Sequence, residues 1–230
     1  MNSPTSTVFV VDDDEHVRNA LCRLLRSGGY AVQGYASASA FVEGADLAAA
    51  PACLLLDLQL PDLSGIELQR RLAGIVPIVF VSAHGDMNTA VEAMKAGATD
   101  FLTKPIDACV LFEATSRALE RACRLFAQRE QRAEIERRLR KLTPREREVM
   151  ALVVTGRPNK LVADELGAAE KTIKIHRARV MEKMKANSLA DLVRLVTTFD
   201  FDVSEPLSPQ PSRTLGMQPR AEPRPVPHTG

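Results

Sequence analysis

Four apolar runs in the first half of the chain end on residues suited to chemistry. Asp12 and Asp13 close Val8-Phe9-Val10-Val11, Asp57 closes Leu54-Leu55-Leu56, and Ser82 closes Ile78-Val79-Phe80-Val81. Lys104 closes Phe101-Leu102-Thr103 and is followed by Pro105. Short apolar runs bounded by turn residues read as buried strands of a parallel sheet. In an open parallel sheet, ligands collect at the carboxyl ends of the strands. Three carboxylates, one hydroxyl and one ammonium therefore converge on one rim. Like charges packed together are costly unless a cation sits among them. The pattern predicts an acidic cup for a divalent metal, with a carboxylate nucleophile inside it.

The elements that must position these residues alternate between strand and helix patterns from residue 8 to about 120. Val17, Leu21, Leu24 and Leu25 recur at helical spacing, and Gly28-Gly29 stops that helix. Tyr30-Ala31-Val32 begins a second strand, and Phe41 and Val42 mark a short helix. Pro51 precedes the third strand; Ile66, Leu68 and Leu72 mark the next helix; Pro77 opens the fourth strand. Val91 and Met94 lie in a helix closed by Gly97, residues 100–102 form the fifth strand, and a last helix follows Pro105. Such alternation predicts an α/β domain with a parallel sheet. Residues 111–142 contain no Gly or Pro and are rich in Glu, Arg, Ala and Leu, which favours a helical linker. An all-helical segment follows, ending near Phe199. From Ser204 onward seven prolines dominate, and such a tail has too little apolar surface to offset its ordering entropy. The expected boundaries are 1–120, a linker at 121–141, a helical domain at 142–200 and a disordered tail at 204–230.

Composition narrows the function classes. A chain of 230 residues suits two small domains. No apolar run approaches a membrane span, and Met1-Asn2-Ser3-Pro4 lacks the layout of a signal peptide, so a cytoplasmic protein with no membrane partner is expected. Cys22, Cys53, Cys109 and Cys123 have no CxxC spacing and read as reduced core thiols. The net charge of +1 hides an asymmetry. Residues 1–107 carry 7 basic against 13 acidic side chains, while residues 142–199 carry 11 against 7. An acidic front and a basic back predict two jobs, with polyanion binding in the second.

The first half resembles the receiver domain of two-component response regulators. The stretches that carry the resemblance are Val10-Val11-Asp12-Asp13-Asp14, the run from Leu56-Asp57 through Ser64-Gly65, Val81-Ser82-Ala83-His84, and the run from Gly97-Ala98 through Lys104-Pro105. The resemblance implies a flavodoxin-like, doubly wound, five-stranded sheet. It implies that Asp57 is the phosphoacceptor, forming an acyl phosphate. Mg²⁺ would be held by Asp13, Asp57 and the backbone carbonyl of Gln59, with Asp12 acting through water. Lys104 would pair with a phosphoryl oxygen and Ser82 would donate its hydroxyl to another. Ser82 and Phe101 would form the switch, and Lys104-Pro105 would be a cis peptide. The other polar strand-end residues carry plainer readings. Asp14 and Asp62 read as caps, His84 as a surface loop histidine, and Asp14-Glu15-His16 as a turn and helix start.

The second half opens with a helix-start signal: Thr143 as N-cap, Pro144 at the first helical position and Glu146 completing a capping box. Further helices are read over 159–166, 172–185 and 189–196, with Gly156 and Gly167 as stops. This four-helix segment resembles the LuxR-type helix-turn-helix domain, and the whole chain resembles the FixJ/NarL group. The carrying residues are Leu142-Thr143-Pro144-Arg145-Glu146, Asn159-Lys160, Ala163-Asp164-Glu165-Leu166-Gly167 and the run Lys171-Thr172-Ile173-Lys174-Ile175-His176-Arg177. Two departures stand out. Ala168-Ala169 lacks the usual Ser or Thr cap, at a cost of roughly 1 kcal/mol, and Leu161-Val162 replaces an acidic-isoleucine pair.

A helical wheel at about 100° per residue puts Ile173, His176, Arg177, Val180 and Met184 on the core side and groove edge. Lys171, Lys174, Ile175, Ala178, Arg179 and Lys185 face the major groove, with Thr172 beside them. Lys174 is expected to read guanine edges, and Ile175 and Ala178 thymine methyls. Lys160, Arg177 and Lys183 are expected on phosphates. Together these expectations describe a phosphorylation-activated transcriptional regulator and not a turnover enzyme. Its partners would be a sensor histidine kinase, double-stranded promoter DNA, a second copy of itself on phosphorylation, and RNA polymerase as a further candidate. Receivers would pair through residues 87–96, 100–102 and the helix after Pro105. A metal-dependent phosphatase and a phosphorylation-independent regulator with a vestigial receiver are the rival readings.

Overall fold

The computed structural model describes residues 6–83 and 87–198. His84, Phe199 and the Pro-rich tail at 204–230 lie outside the described residues. In chain order the elements are β1 (Thr7–Val11), α1 (Glu15–Ser27), β2 (Ala31–Tyr35), α2 (Ala38–Gly44), β3 (Ala52–Asp57), α3 (Gly65–Arg71), β4 (Ile78–Ser82), α4 (Met87–Lys95), β5 (Asp100–Thr103), α5 (Ala108–Arg140), α6 (Pro144–Val153), α7 (Asn159–Glu165), α8 (Glu170–Met184) and α9 (Leu189–Thr197). The five strands form one parallel sheet in the order β2-β1-β3-β4-β5.

Side chains alternate between the two faces of the strands, so the sheet separates two cores. Phe9, Leu54, Leu56, Ile78 and Phe80 pack on one face with Phe41 of α2 and Leu68 of α3. Val8, Val10, Leu55, Val79 and Leu102 pack on the other with Leu21 and Leu25 of α1 and Leu111, Ala114 and Ala118 of α5. Every residue of β3 is buried, as the central strand of a sheet covered on both faces should be. Register places the reactive rim. Val11 pairs with Leu56, so Asp12 leaves the sheet beside Asp57. Ser82 pairs with Thr103, so Lys104 emerges beside it.

The helical expectations hold to within one or two residues at most ends. Asp14 caps α1, accepting from the amides of His16 and Val17. Asp62 also acts as a cap, but of α2: it accepts from the amides of Ala38 and Ser39 and from the Ser39 hydroxyl. The thiols divide. Cys22 and Cys53 are buried, and burial pushes the Cys53 thiol up to about 12. Cys109 and Cys123 are exposed on α5, because they fall on its outward stripe, so the core reading holds for two of the four. Among the described residues, no helix is long and apolar enough to cross a membrane.

The linker expected at 121–141 is the continuation of α5, one helix of 33 residues. Its last turns carry core residues of the second module. Ile135, Leu139 and Leu142 are buried with Met150 of α6, Val180 and Met184 of α8, and Leu192 and Val196 of α9. A second cluster joins Val149 and Val153 to Val162 of α7 and Ile173 of α8.

Candidate functional site

The acidic rim forms around Lys104. Its ammonium lies 2.7 Å from Asp12 Oδ2 and 2.7 Å from Asp57 Oδ2. Asp12 Oδ1 accepts from the Asp14 amide at 3.0 Å, and Asp57 Oδ1 from the Gln59 amide at 3.0 Å. Burial holds Asp12 above the ordinary carboxylate range, and the adjacent Lys104 only partly opposes it. Burial also works against the charge on Lys104, but the two carboxylates outweigh it and hold the ammonium above its usual range. Both shifts are upward but mean opposite things for charge: burial disfavours the Asp12 carboxylate, whereas two adjacent anions favour the Lys104 ammonium.

Asp13 is exposed and completes the set: one carboxylate oxygen from each of Asp12, Asp13 and Asp57 lies within 4.8 Å of the others. An open pocket of about 330 Å³ borders this cluster, lined by Asp13, Asp57, Gln59, Ser82 and Ala83 among others. The donors are hard oxygens on a wet rim, which suits Mg²⁺ with several waters retained. Both oxygens of Asp12 and both of Asp57 are engaged by protein donors, and Asp13 faces the pocket. The three carboxylates fit such an ion. Ser82 is buried at the end of β4, and its carbonyl accepts from the Lys104 amide at 2.9 Å. The Phe101 ring is half-buried, 6.0 Å from that of Phe80. The Lys104–Pro105 bond is cis.

Two residues with no assigned role on sequence prove to support the site. Arg18 Nη1 donates to the carbonyls of Asp12 at 2.7 Å and Asp13 at 3.3 Å. Its stem crosses Gly34, where an added Cβ would sit 3.4 Å from Arg18 Cγ and Cδ. Arg18 therefore pins the two peptide groups that aim the acidic pair. Gly65 lies under Asp57; a Cβ there would come 2.6 Å from the Asp57 carbonyl oxygen. A glycine opening the helix after Asp57 is a readable signal of close approach. The Arg18 contact depends on how a helix and a loop meet, so spacing alone does not reveal it.

In the second module, α8 presents Lys171, Thr172, Lys174, Ile175, Ala178 and Arg179 to solvent, while Ile173, Val180 and Met184 are buried. Lys174 pairs with Glu170 at 2.9 Å, and Lys160 is exposed on α7. Arg177 is half-buried and donates to Asn159 Oδ1 at 3.1 Å. Lys183, expected on a phosphate, is engaged within the protein. Its ammonium lies 2.6 Å from the buried Glu146 carboxylate and 3.1 Å from the Lys141 carbonyl. Glu146 also closes the capping box with Thr143. Burial opposes its charge, but hydrogen bonds from Lys183 and Thr143 outweigh that and hold its carboxyl below the usual range. The N-cap of α8 is Ala169, with no side-chain hydrogen bond.

Comparison with known proteins agrees with both halves. Residues 8–116 match the response regulator receiver domain, and residues 140–196 match the bacterial regulatory proteins of the luxR family. The chain is 43% identical over 205 residues to the transcriptional regulatory protein FixJ of Rhizobium meliloti, covering 86% of this chain and 98% of that protein. It is 43% identical over 199 residues to nodulation protein W of Bradyrhizobium diazoefficiens, covering 85% and 87%. The solved structure of the response regulator StyR superposes with a TM-score of 0.71 at 44% identity, over 84% of this chain and 99% of that one. A receiver sheet joined to a luxR-type module defines a DNA-binding transcriptional regulator controlled by phosphorylation. The chain belongs to the two-component response regulators of the FixJ/NarL group.

Proposed function

We propose that Asp57 is the phosphoacceptor. A carboxylate oxygen attacks the phosphorus of a phosphohistidine on a sensor kinase. The new P–O bond forms as the P–N bond breaks, and the imidazole leaves with a proton. The product is an acyl phosphate. The observation that carries this reading is the placement of Lys104 2.7 Å from Asp57 Oδ2, with Asp12 and Asp13 alongside. Asp13, Asp57 and the Gln59 carbonyl, with Asp12 behind, would hold Mg²⁺, which would neutralise charge on the transferring group. Lys104 leaves its ion pair with Asp57 to meet a phosphoryl oxygen. The Ser82 hydroxyl meets another, and Phe101 follows it inward. The chain promotes its own phosphorylation without turning over a substrate.

The phosphorylated receiver pairs with a second copy through α4, β5 and α5. Met87, Val91 and Met94 on α4 and Val110 on α5 are large apolar side chains exposed on that face. Pairing brings two DNA-binding modules to two half-sites and raises their effective concentration. On promoter DNA, Lys174, Ile175 and Ala178 read bases. Lys171, Thr172 and Arg179 lie on the same groove-facing side, and Lys160 and Arg177 hold the backbone. RNA polymerase is the candidate partner for output, and the cytoplasm the working compartment. The test is intact mass after incubation with acetyl phosphate and Mg²⁺. Wild type should gain one phosphoryl group and Asp57→Asn none; stoichiometric phosphorylation of the variant refutes the assignment.

A further inference from the structure

Two helices that begin in different domains end against each other. α5 leaves the receiver sheet and ends at Arg140; α8, the helix read as entering the DNA groove, ends at Met184. The last carbonyls of a helix have no intrahelical donors and carry the negative end of its dipole. Arg138 Nη1 of α5 donates to the Met184 carbonyl at 3.0 Å. Lys183 Nζ of α8 donates to the carbonyl of Lys141, the C-cap of α5, at 3.1 Å. Each helix supplies the cation that the other's end requires. Below these contacts, Ile135 and Leu139 of α5 share one buried cluster with Val180 and Met184 of α8. Glu134 holds Arg138 Nε at 2.9 Å, and Glu146 holds Lys183 at 2.6 Å, so both cations are oriented.

We propose that Arg138 and Lys183 are positioning residues for DNA recognition: they lock the recognition helix to α5, so that the receiver's own helix sets its orientation. Between 108 and 140 there is no Gly or Pro, and α5 is one unbroken helix. A displacement of α5 at the receiver thus reaches α8 through packed side chains and without an intervening loop. Lys183 offers the sharpest discrimination, because its position on the sequence suits a phosphate contact. A phosphate contact is sequence-independent and releases counterions. A clamp contributes nothing to that release but carries the coupling.

This inference rests on the phosphorylation-controlled reading above, and one experiment separates the two. Full-length wild type, Arg138→Met, Lys183→Met, Arg138→Lys and Lys183→Arg are titrated with a duplex selected from random DNA by wild type. Affinity is measured with and without beryllofluoride plus Mg²⁺, at several salt concentrations. In wild type the phosphoryl analogue should tighten binding. In both Met variants that gain should shrink by at least about fivefold, with the salt slope unchanged, and Lys183→Arg should restore it. A gain left intact in Lys183→Met, with a shallower salt slope, makes Lys183 a phosphate contact and overturns the clamp. Should the Met variants lack a cooperative melt, the two conservative variants decide: each keeps a donor and should keep the gain. Loss of the gain in both at wild-type melting temperature also overturns the clamp. A wild type that ignores the analogue overturns the phosphorylation reading itself, and the coupling role with it.

Discussion

Lys104 and Lys174 hold the same charge in opposite settings. Lys104 is only 17% exposed and touches two carboxylates at 2.7 Å, whereas Lys174 is 62% exposed and touches one neighbour, Glu170, at 2.9 Å. Asp12, Asp57 and Lys104 are largely held out of water, so each depends on its partner, and removing one leaves another buried and uncompensated. On α8 the charges stay solvated, and a surface pair contributes about 0–1 kcal/mol. Lys174 can therefore exchange Glu170 for DNA at small cost. The receiver stores its chemistry in a preset constellation, and the exposed face of α8 keeps its cations available.

This contrast makes Lys104 the most sensitive position. Lys104→Met should destabilise the Mg²⁺-free protein by about 3 kcal/mol, because Asp12 and Asp57 lose their shared cation. Mg²⁺ should restore more stability to the variant than it adds to wild type. Denaturant melts with and without Mg²⁺ measure this, and a loss below about 1 kcal/mol would place the rim in the same solvated class as α8.

Arg18→Met comes next. It keeps the stem over Gly34 but removes the donor to the Asp12 and Asp13 carbonyls. Outer-shell partners of metal ligands are worth about 10–100-fold in affinity, so Mg²⁺ binding should weaken at least tenfold by titration calorimetry. Arg18→Lys should recover part of it. Removing a positive charge acts in the other direction on simple electrostatics, so tighter Mg²⁺ binding in Arg18→Met shows that orientation is not the role of Arg18.

On α8, Lys174→Ala should reduce discrimination between cognate and scrambled duplexes by about 1–3 kcal/mol. Lys160→Ala should weaken both duplexes alike and flatten the salt dependence. Competition binding at several salt concentrations distinguishes them, and the opposite pattern reverses the assumed orientation of the helix-turn-helix. The smallest expected effect is a gain. Ala169→Ser supplies the missing N-cap of α8 and should add about 1 kcal/mol of stability. An unchanged melting temperature means that the amides at the start of α8 are already satisfied.

Residue types and spacing revealed the rim because parallel strands align their ends. Once Val8–Val11, Leu54–Leu56 and Ile78–Val81 are strands of one sheet, Asp12, Asp57 and Ser82 have nowhere to go but its carboxyl edge. Asp14 was legible for a similar reason, since a cap bonds to amides two and three residues onward. Asp62 was legible only in kind: it is a cap, but its helix lies 24 residues upstream of it in sequence, brought near by the fold.

The sequence by itself determined the order of elements and the identity of the acidic cluster, because these follow from local periodicity and strand alignment. It also determined which α8 side chains face water, since a helix has a single period. Tertiary structure alone decided the rest. It sent Arg18 to the carbonyls behind the acidic pair, and placed Gly65 beneath the Asp57 carbonyl. It also made the expected linker part of the second core and drew Lys183 onto Glu146 and Lys141. The physical reason is common to Arg18, Gly65 and Lys183. A long flexible cation or a bare backbone position has no preferred partner in one dimension, and its partner is settled only when two packed elements bring an unsatisfied carbonyl or carboxylate within about 3 Å.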